Sequence, residues 1–174
     1  MDIHPIIVHF PIALLAVYSV MELVRAHKLL AEKSWYYIKS AFLILGTLGA
    51  FAALSTGENA EHINRPAQKI VEMHQVFASA STWIFSILSI LYLVGILENI
   101  LGDKLQTSKY EIIRKIWNIK LRIRNKLFKP VFLIPLAILG LVAIMTTGAL
   151  GGAMVYGSSA DPFVEFVYKI LIGQ

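Results

Sequence analysis

Residues 131–156 read VFLIPLAILGLVAIMTTGALGGAMVY, a run without a single Asp, Glu, Lys or Arg. Three further apolar runs cover residues 5–24, 39–57 and 76–97, and each is close to the roughly 20 residues that a helix needs to cross a bilayer. Hydrophobic residues make up 57% of the 174-residue chain, above the content of about 45–50% that is usual in soluble domains. Backbone polar groups in hydrocarbon must be satisfied within the segment, so the runs predict an all-α, four-helix transmembrane bundle.

The basic residues are concentrated on one side of these runs. Thirteen lie in or beside the connections 25–39 and 102–129, whereas three, Arg65, Lys69 and Lys169, lie on the other side. The positive-inside rule places the larger group in the cytoplasm and both termini on the non-cytoplasmic side. We therefore expect a single multi-pass domain over residues 1–174, in a bacterial cytoplasmic (inner) membrane.

The connection between the third and fourth runs has its own pattern. Lys104–Lys129 combines nine cations with isoleucines, Trp117 and Leu121 at helical spacing. This pattern predicts a basic amphipathic helix on the anionic cytoplasmic leaflet, where each nearby cation contributes roughly 1 kcal/mol. Protein docking is the other interpretation, and nucleic acid is not an expected partner of a chain with four spans.

The remaining segments are expected to be simple connections. Residues 25–33 predict a polar turn, residues 58–72 a polar outer loop and residues 157–174 a tail. Asn64-Arg65-Pro66 predicts a capped helix start, because proline suits the first helical turn. The residue pattern shows no convincing internal repeat.

Histidines mark the outer half of the predicted bundle, and four of the five map there: His4, His9, His62 and His74. A histidine at membrane depth is unfavourable unless it faces the bundle interior, a cavity or a partner, which makes His9 the strongest candidate. His74 is its expected partner because both helices enter from the same side; His4 is the alternative. Ala13 and Ala78 lie one turn deeper on the two faces and leave room for a ligand.

These features predict a b-type haem held by His9 and His74 for electron transfer at the outer face. Gly148 and Gly152, four residues apart, offer a smooth surface that a macrocycle or another helix could approach closely. The chain has no cysteine, which excludes covalently attached c-type haem. No catalytic residue is assigned, and a redox partner or a homo-oligomer is compatible with this interpretation.

Two alternatives stay open. A zinc, iron or copper site could be formed by the first-run histidines and His74 with Glu58, Glu61 or His62 from the outer loop, and could serve a sensor, a transporter or a hydrolase. The other alternative is an assembly subunit whose histidines only connect helices.

The chain also resembles a known family in several short motifs. These are His4-Pro5 followed by Val8-His9-Phe10-Pro11, then Thr56-Gly57, His74, and Gly151-Gly152 with Val155-Tyr156-Gly157. Together they resemble a widespread bacterial domain-of-unknown-function family of small four-span membrane proteins. The resemblance covers nearly the whole chain and implies the four-span fold.

The distribution of basic residues predicts the orientation of the protein. With tags at both ends and in the connection 102–129, an impermeant reagent added to intact cells should label the end tags and leave the connection unlabelled. Labelling of the connection without the termini would show the opposite orientation.

Overall fold

The structure is a computed structural model that describes residues 4–64 and 67–173, except the side chains of Pro5, His27 and residues 58–64. Within these ranges the chain is helical and contains no strand. The helices are α1 (His4–Leu23), α2 (His27–Ala31), α3 (Lys33–Asn64), α4 (Gln68–Gln106), α5 (Glu111–Leu127), α6 (Pro130–Tyr156) and α7 (Pro162–Leu171).

Four of the described helices, α1, α3, α4 and α6, are long and apolar enough to cross a membrane. The predicted all-α, four-span architecture is therefore confirmed, while its orientation stays a prediction. We call the end of the bundle that carries α2 and α5 the basic end. The opposite end, which carries His4 and His74, is the histidine end.

The connection at the histidine end is much shorter than predicted. α3 continues to Asn64 and α4 begins at Gln68, with Ala67 as its N-cap. The predicted loop over residues 58–72 and the capped start at Asn64 are therefore wrong, while Arg65 and Pro66 lie outside the described residues. Extending both helices beyond the apolar runs keeps their backbone groups hydrogen-bonded within the helix.

The other connections also contain helices. The predicted turn at residues 25–33 includes α2, and the predicted tail includes α7. The carboxylate of Asp161 caps α7 by accepting hydrogen bonds from the backbone N–H groups of Phe163 and Val164, at 2.8 and 3.0 Å. This cap satisfies backbone donors that the start of any helix leaves unpaired. The helix that it starts, α7, packs on α6.

The basic amphipathic helix predicted for Lys104–Lys129 is present as α5, which starts later because α4 continues to Gln106. It packs on α4, and Trp117 and Leu121 are buried. The exposed isoleucines form a second apolar stripe: Ile112, Ile116, Ile119 and Ile123. The apolar residues of α5 thus serve two surfaces, one in contact with α4 and one free of the bundle.

Two antiparallel helix pairs, α1 with α3 and α4 with α6, form the bundle core. Glycine allows the second pair to approach closely: a Cβ atom on Gly140 would lie 2.7 Å from Cζ of Phe85. The Phe85 ring is fully buried and cannot rotate away without disturbing its neighbours. A methyl group at position 140 would therefore force α6 away from α4.

Gly140→Ala should lower the free energy of unfolding by about 1–3 kcal/mol because of this overlap. The quantity can be measured by denaturant unfolding of the detergent-solubilised protein. The matched control is Gly102→Ala, where the nearest atom to the added Cβ is Cγ of Glu98 at 3.7 Å. Equal stabilities for the two variants would contradict the packing described here.

Candidate functional site

His4 is held at the start of α1 by the neighbouring helix α3. Its Nδ1 atom lies 2.9 Å from Oγ1 of Thr56, and a Cβ atom on Gly57 would lie 3.7 Å from Cε1 of its ring. The Thr56 hydroxyl donates to the carbonyl of Ala53 at 3.0 Å. Either group can be the donor in the contact between His4 and Thr56, because the hydroxyl can also turn its hydrogen toward Nδ1.

His74 is held in the same way on α4 by helix α6. Its Nδ1 atom lies 3.0 Å from the carbonyl oxygen of Thr147. A carbonyl can only accept, so Nδ1 is the protonated nitrogen of the neutral ring. A Cβ atom on Gly151 would lie 3.5 Å from Cε1 of His74, and the glycine gives the ring room against α6.

The two imidazoles are electrostatic neighbours at the histidine end. In the neutral His74 ring the proton on Nδ1 leaves the lone pair on Nε2. Metal-binding histidines are usually oriented in this manner, with the second ring nitrogen donating to a carbonyl or another fixed acceptor. We call His4 and His74 the histidine pair.

The histidine pair belongs to a repeat that the sequence analysis missed. Glu22 follows His4 by the same number of positions as Tyr92 follows His74, and Ser55-Thr56-Gly57 corresponds to Thr146-Thr147-Gly148. α3 packs on α4 much as α1 packs on α6, as expected for two helix pairs related by a pseudo-two-fold axis along the bundle. Few residues are identical between the halves, so the repeat is visible only once the histidines are aligned.

His9, which the sequence favoured as the ligand, lies on the exposed side of α1 together with Ala13. His74 is partly buried between α4 and α6. His74 interacts electrostatically with His4. Ala78, one turn below His74, is partly buried, and its carbonyl accepts from the hydroxyl of Thr82 at 2.8 Å.

The predicted glycine surface is divided between two neighbours. A Cβ atom on Gly148 would lie 3.8 Å from Ile12 on α1, and one on Gly152 would lie 3.5 Å from Val164 on α7. Gly151, between them, is the glycine next to His74. Gly151 faces His74 because it lies about 100° around the helix from Gly152.

Glu58 and His62 lie on α3 and not in a loop, but their side chains are outside the described part of the chain. The same holds for Glu61. Among the side chains that the structure describes, no group of three or more His, Cys, Asp or Glu residues could hold a metal ion.

A buried ion pair lies at the basic end of the bundle. Nζ of Lys39 is 2.7 Å from Oε2 of Glu22, with exposed side-chain fractions of 8% and 1%. The Tyr92 hydroxyl donates to the same Glu22 oxygen at 2.6 Å, and the Tyr36 hydroxyl donates to the Tyr92 carbonyl at 2.8 Å. We call Glu22, Lys39 and Tyr92 the ion-pair cluster.

The ion-pair cluster was missed because Glu22 and Lys39 lie at the edges of their apolar runs. A charge at such an edge usually reaches the membrane surface. Glu22 and Lys39 have opposite charges and lie at the same end of two consecutive antiparallel spans. This arrangement is the sequence signal that could have revealed the pair. Glu22 and Tyr92 occupy equivalent positions of the two halves, so their hydrogen bond lies near the pseudo-two-fold axis.

A family model described as "Predicted membrane protein (DUF2231)" matches residues 1–160. The chain belongs to the DUF2231 family. The predicted resemblance to a family of membrane proteins of unknown function is thereby confirmed. No curated protein and no solved structure matches the chain.

The part of this DUF2231 protein that matches the family contains the histidine pair, the residues that orient it and the ion-pair cluster. α7, which begins at Pro162, lies beyond the matched residues. It packs on α6, where Val164 approaches Gly152. The helix therefore adds a cover at the histidine end to the four-span core.

Lys39→Met should lower the free energy of unfolding by about 3–5 kcal/mol, because it leaves the buried Glu22 carboxylate without its cation. Unfolding of the detergent-solubilised protein measures this quantity. The double variant Glu22→Gln with Lys39→Met should recover most of the loss, since it removes the uncompensated charge.

The control is Lys169→Met, which breaks the exposed pair with Glu165 and should change stability by less than about 1 kcal/mol. Equal effects at the two lysines would contradict the assignment of a buried, solvent-free pair.

Proposed function

We propose that this DUF2231 protein is a membrane b-type haem protein whose axial ligands are His4 and His74. One observation carries the proposal: each ring is oriented through Nδ1 by a threonine of its partner helix, and in His74 the carbonyl acceptor leaves the lone pair on Nε2. Non-covalent haem iron is commonly held by neutral imidazoles on facing helices. The proposal keeps His74 from the sequence-based interpretation and replaces His9 by His4.

The number of oriented histidines fits a haem. A bis-histidine haem requires two axial ligands from the protein, and the histidine pair supplies two.

The position of the pair suggests electron transfer at one face of the membrane. Of the five histidines in the chain, His27 is the one that belongs to the basic end, so a second bis-histidine haem cannot form there within one chain. Electrons would therefore enter and leave at the histidine end, through a redox partner or a second copy. We place this end on the non-cytoplasmic side of a bacterial inner membrane, because the basic end carries most cations.

With the basic end on the cytoplasmic side, α5 has a role at the membrane surface. Its exposed isoleucine stripe would enter the leaflet while the cations of Lys104–Lys129 meet anionic headgroups. The burial of Trp117 against the bundle would fix the helix at this depth.

The proposal is tested by haem titration of the purified protein, followed by its absorption spectrum. The wild type should bind one haem per chain in a low-spin form, and His4→Ala or His74→Ala should lower haem content or give a five-coordinate, high-spin spectrum. His9→Ala and His27→Ala are the controls and should retain the wild-type spectrum. Thr56→Val should weaken haem binding by about 10- to 100-fold, because it removes a partner that orients a ligand.

The alternatives have different outcomes. Loss of the spectrum in His9→Ala with retention in His4→Ala would show that the ligand pair is wrong. Failure of every preparation to bind haem would overturn the proposal, and stoichiometric zinc or copper in those preparations would favour the metal site.

A further inference from the structure

A cavity of about 190 Å³ lies at the basic end, beside the ion-pair cluster. Its walls come from the end of α1, from α2, from the starts of α3 and α6, and from the middle of α4. The cavity is distinct from the histidine pair, which lies at the opposite end of the bundle.

One wall of the cavity presents hydrogen-bond donors. Nε1 of Trp35 is buried and has no hydrogen-bond partner in the described part of the chain, and Trp35 lines the cavity. Arg25 also lines it and forms no ion pair among the described residues. A buried N–H group without an acceptor is unfavourable, so an acceptor bound beside Trp35 would stabilise the protein.

The Glu22 carboxylate also lines the cavity, but it does not supply this hydrogen-bond acceptor. Glu22 already accepts from Lys39 and Tyr92, and Lys39 balances its charge. With Arg25 added, the lining has a surplus of one positive charge. A small anion therefore fits the polar wall better than a cation does.

The apolar part of the lining is formed by four residues: Leu30, Phe128, Pro130 and Leu133. A ligand that satisfies both parts of the lining has an anionic head and an apolar body. Basic pockets between membrane helices bind the headgroups of anionic lipids in this way, and tryptophan is enriched at the level of those headgroups.

We propose that this cavity binds a phosphate group, supplied by an anionic phospholipid of the leaflet at the basic end. Arg25 provides the charge, the indole N–H of Trp35 provides a directed hydrogen bond, and the apolar wall holds the first part of the lipid body. The site is independent of haem.

Native mass spectrometry of the full-length protein, with phosphatidylglycerol added to the detergent solution, tests the site. Arg25→Gln should weaken lipid binding about tenfold, as expected for the loss of a charged hydrogen bond, and Trp35→Phe should weaken it about threefold. The matched controls are Lys28→Gln and Trp83→Phe, which are exposed and do not line the cavity; both should bind as the wild type does.

Two further arms identify the source of the phosphate. Retention of phosphatidylglycerol in millimolar inorganic phosphate supports a lipid, whereas displacement of the lipid supports a phosphate site that also takes the free anion. Equal binding of phosphatidylglycerol by all variants, or equally tight binding of phosphatidylcholine, would overturn the proposal.

Discussion

A bilayer core offers no water to polar groups, and this constraint arranges the whole bundle. Each polar side chain inside the spans must find its partner on its own helix or on a neighbour. Most serines and threonines here satisfy themselves, as Thr82 does by donating to a carbonyl of its own helix. The groups that cannot do so lie where helices meet, and they join the two halves of the protein.

Two contacts join the two halves. Glu22 and Tyr92 join α1 to α4 at the basic end, and the hydroxyls of Thr47 and Ser89 join α3 to α4 at 2.9 Å in the middle. The histidine pair lies at the far end. Glu22 and Tyr92 occupy equivalent positions of the two halves, and so do the two histidines.

The four-span fold could be predicted from the sequence. Apolar runs of membrane length predict helices with few alternatives, because hydrocarbon excludes other backbone structures. His74 was proposed from the sequence, since an imidazole within an apolar span needs a partner. His9 was preferred over His4 for the same reason, and this preference depended on which face of α1 packs inward. Ile6, Phe10, Val17 and Val20 are exposed on α1, so apolar residues cover its lipid side too and periodicity could not distinguish the faces. The Glu22–Lys39 pair was hidden likewise, because pairing depends on the depth of both residues in the assembled bundle.

The central claim is that the partner helix holds His74 with its proton on Nδ1 and its lone pair on Nε2. Nitrogen NMR of the haem-free protein, labelled with ¹⁵N-histidine and assigned with His74→Ala, reports the protonation of each ring nitrogen directly. The account predicts a neutral His74 ring with a protonated Nδ1 and an unprotonated Nε2. A ring protonated at Nε2, or one that exchanges between the two forms, would contradict it.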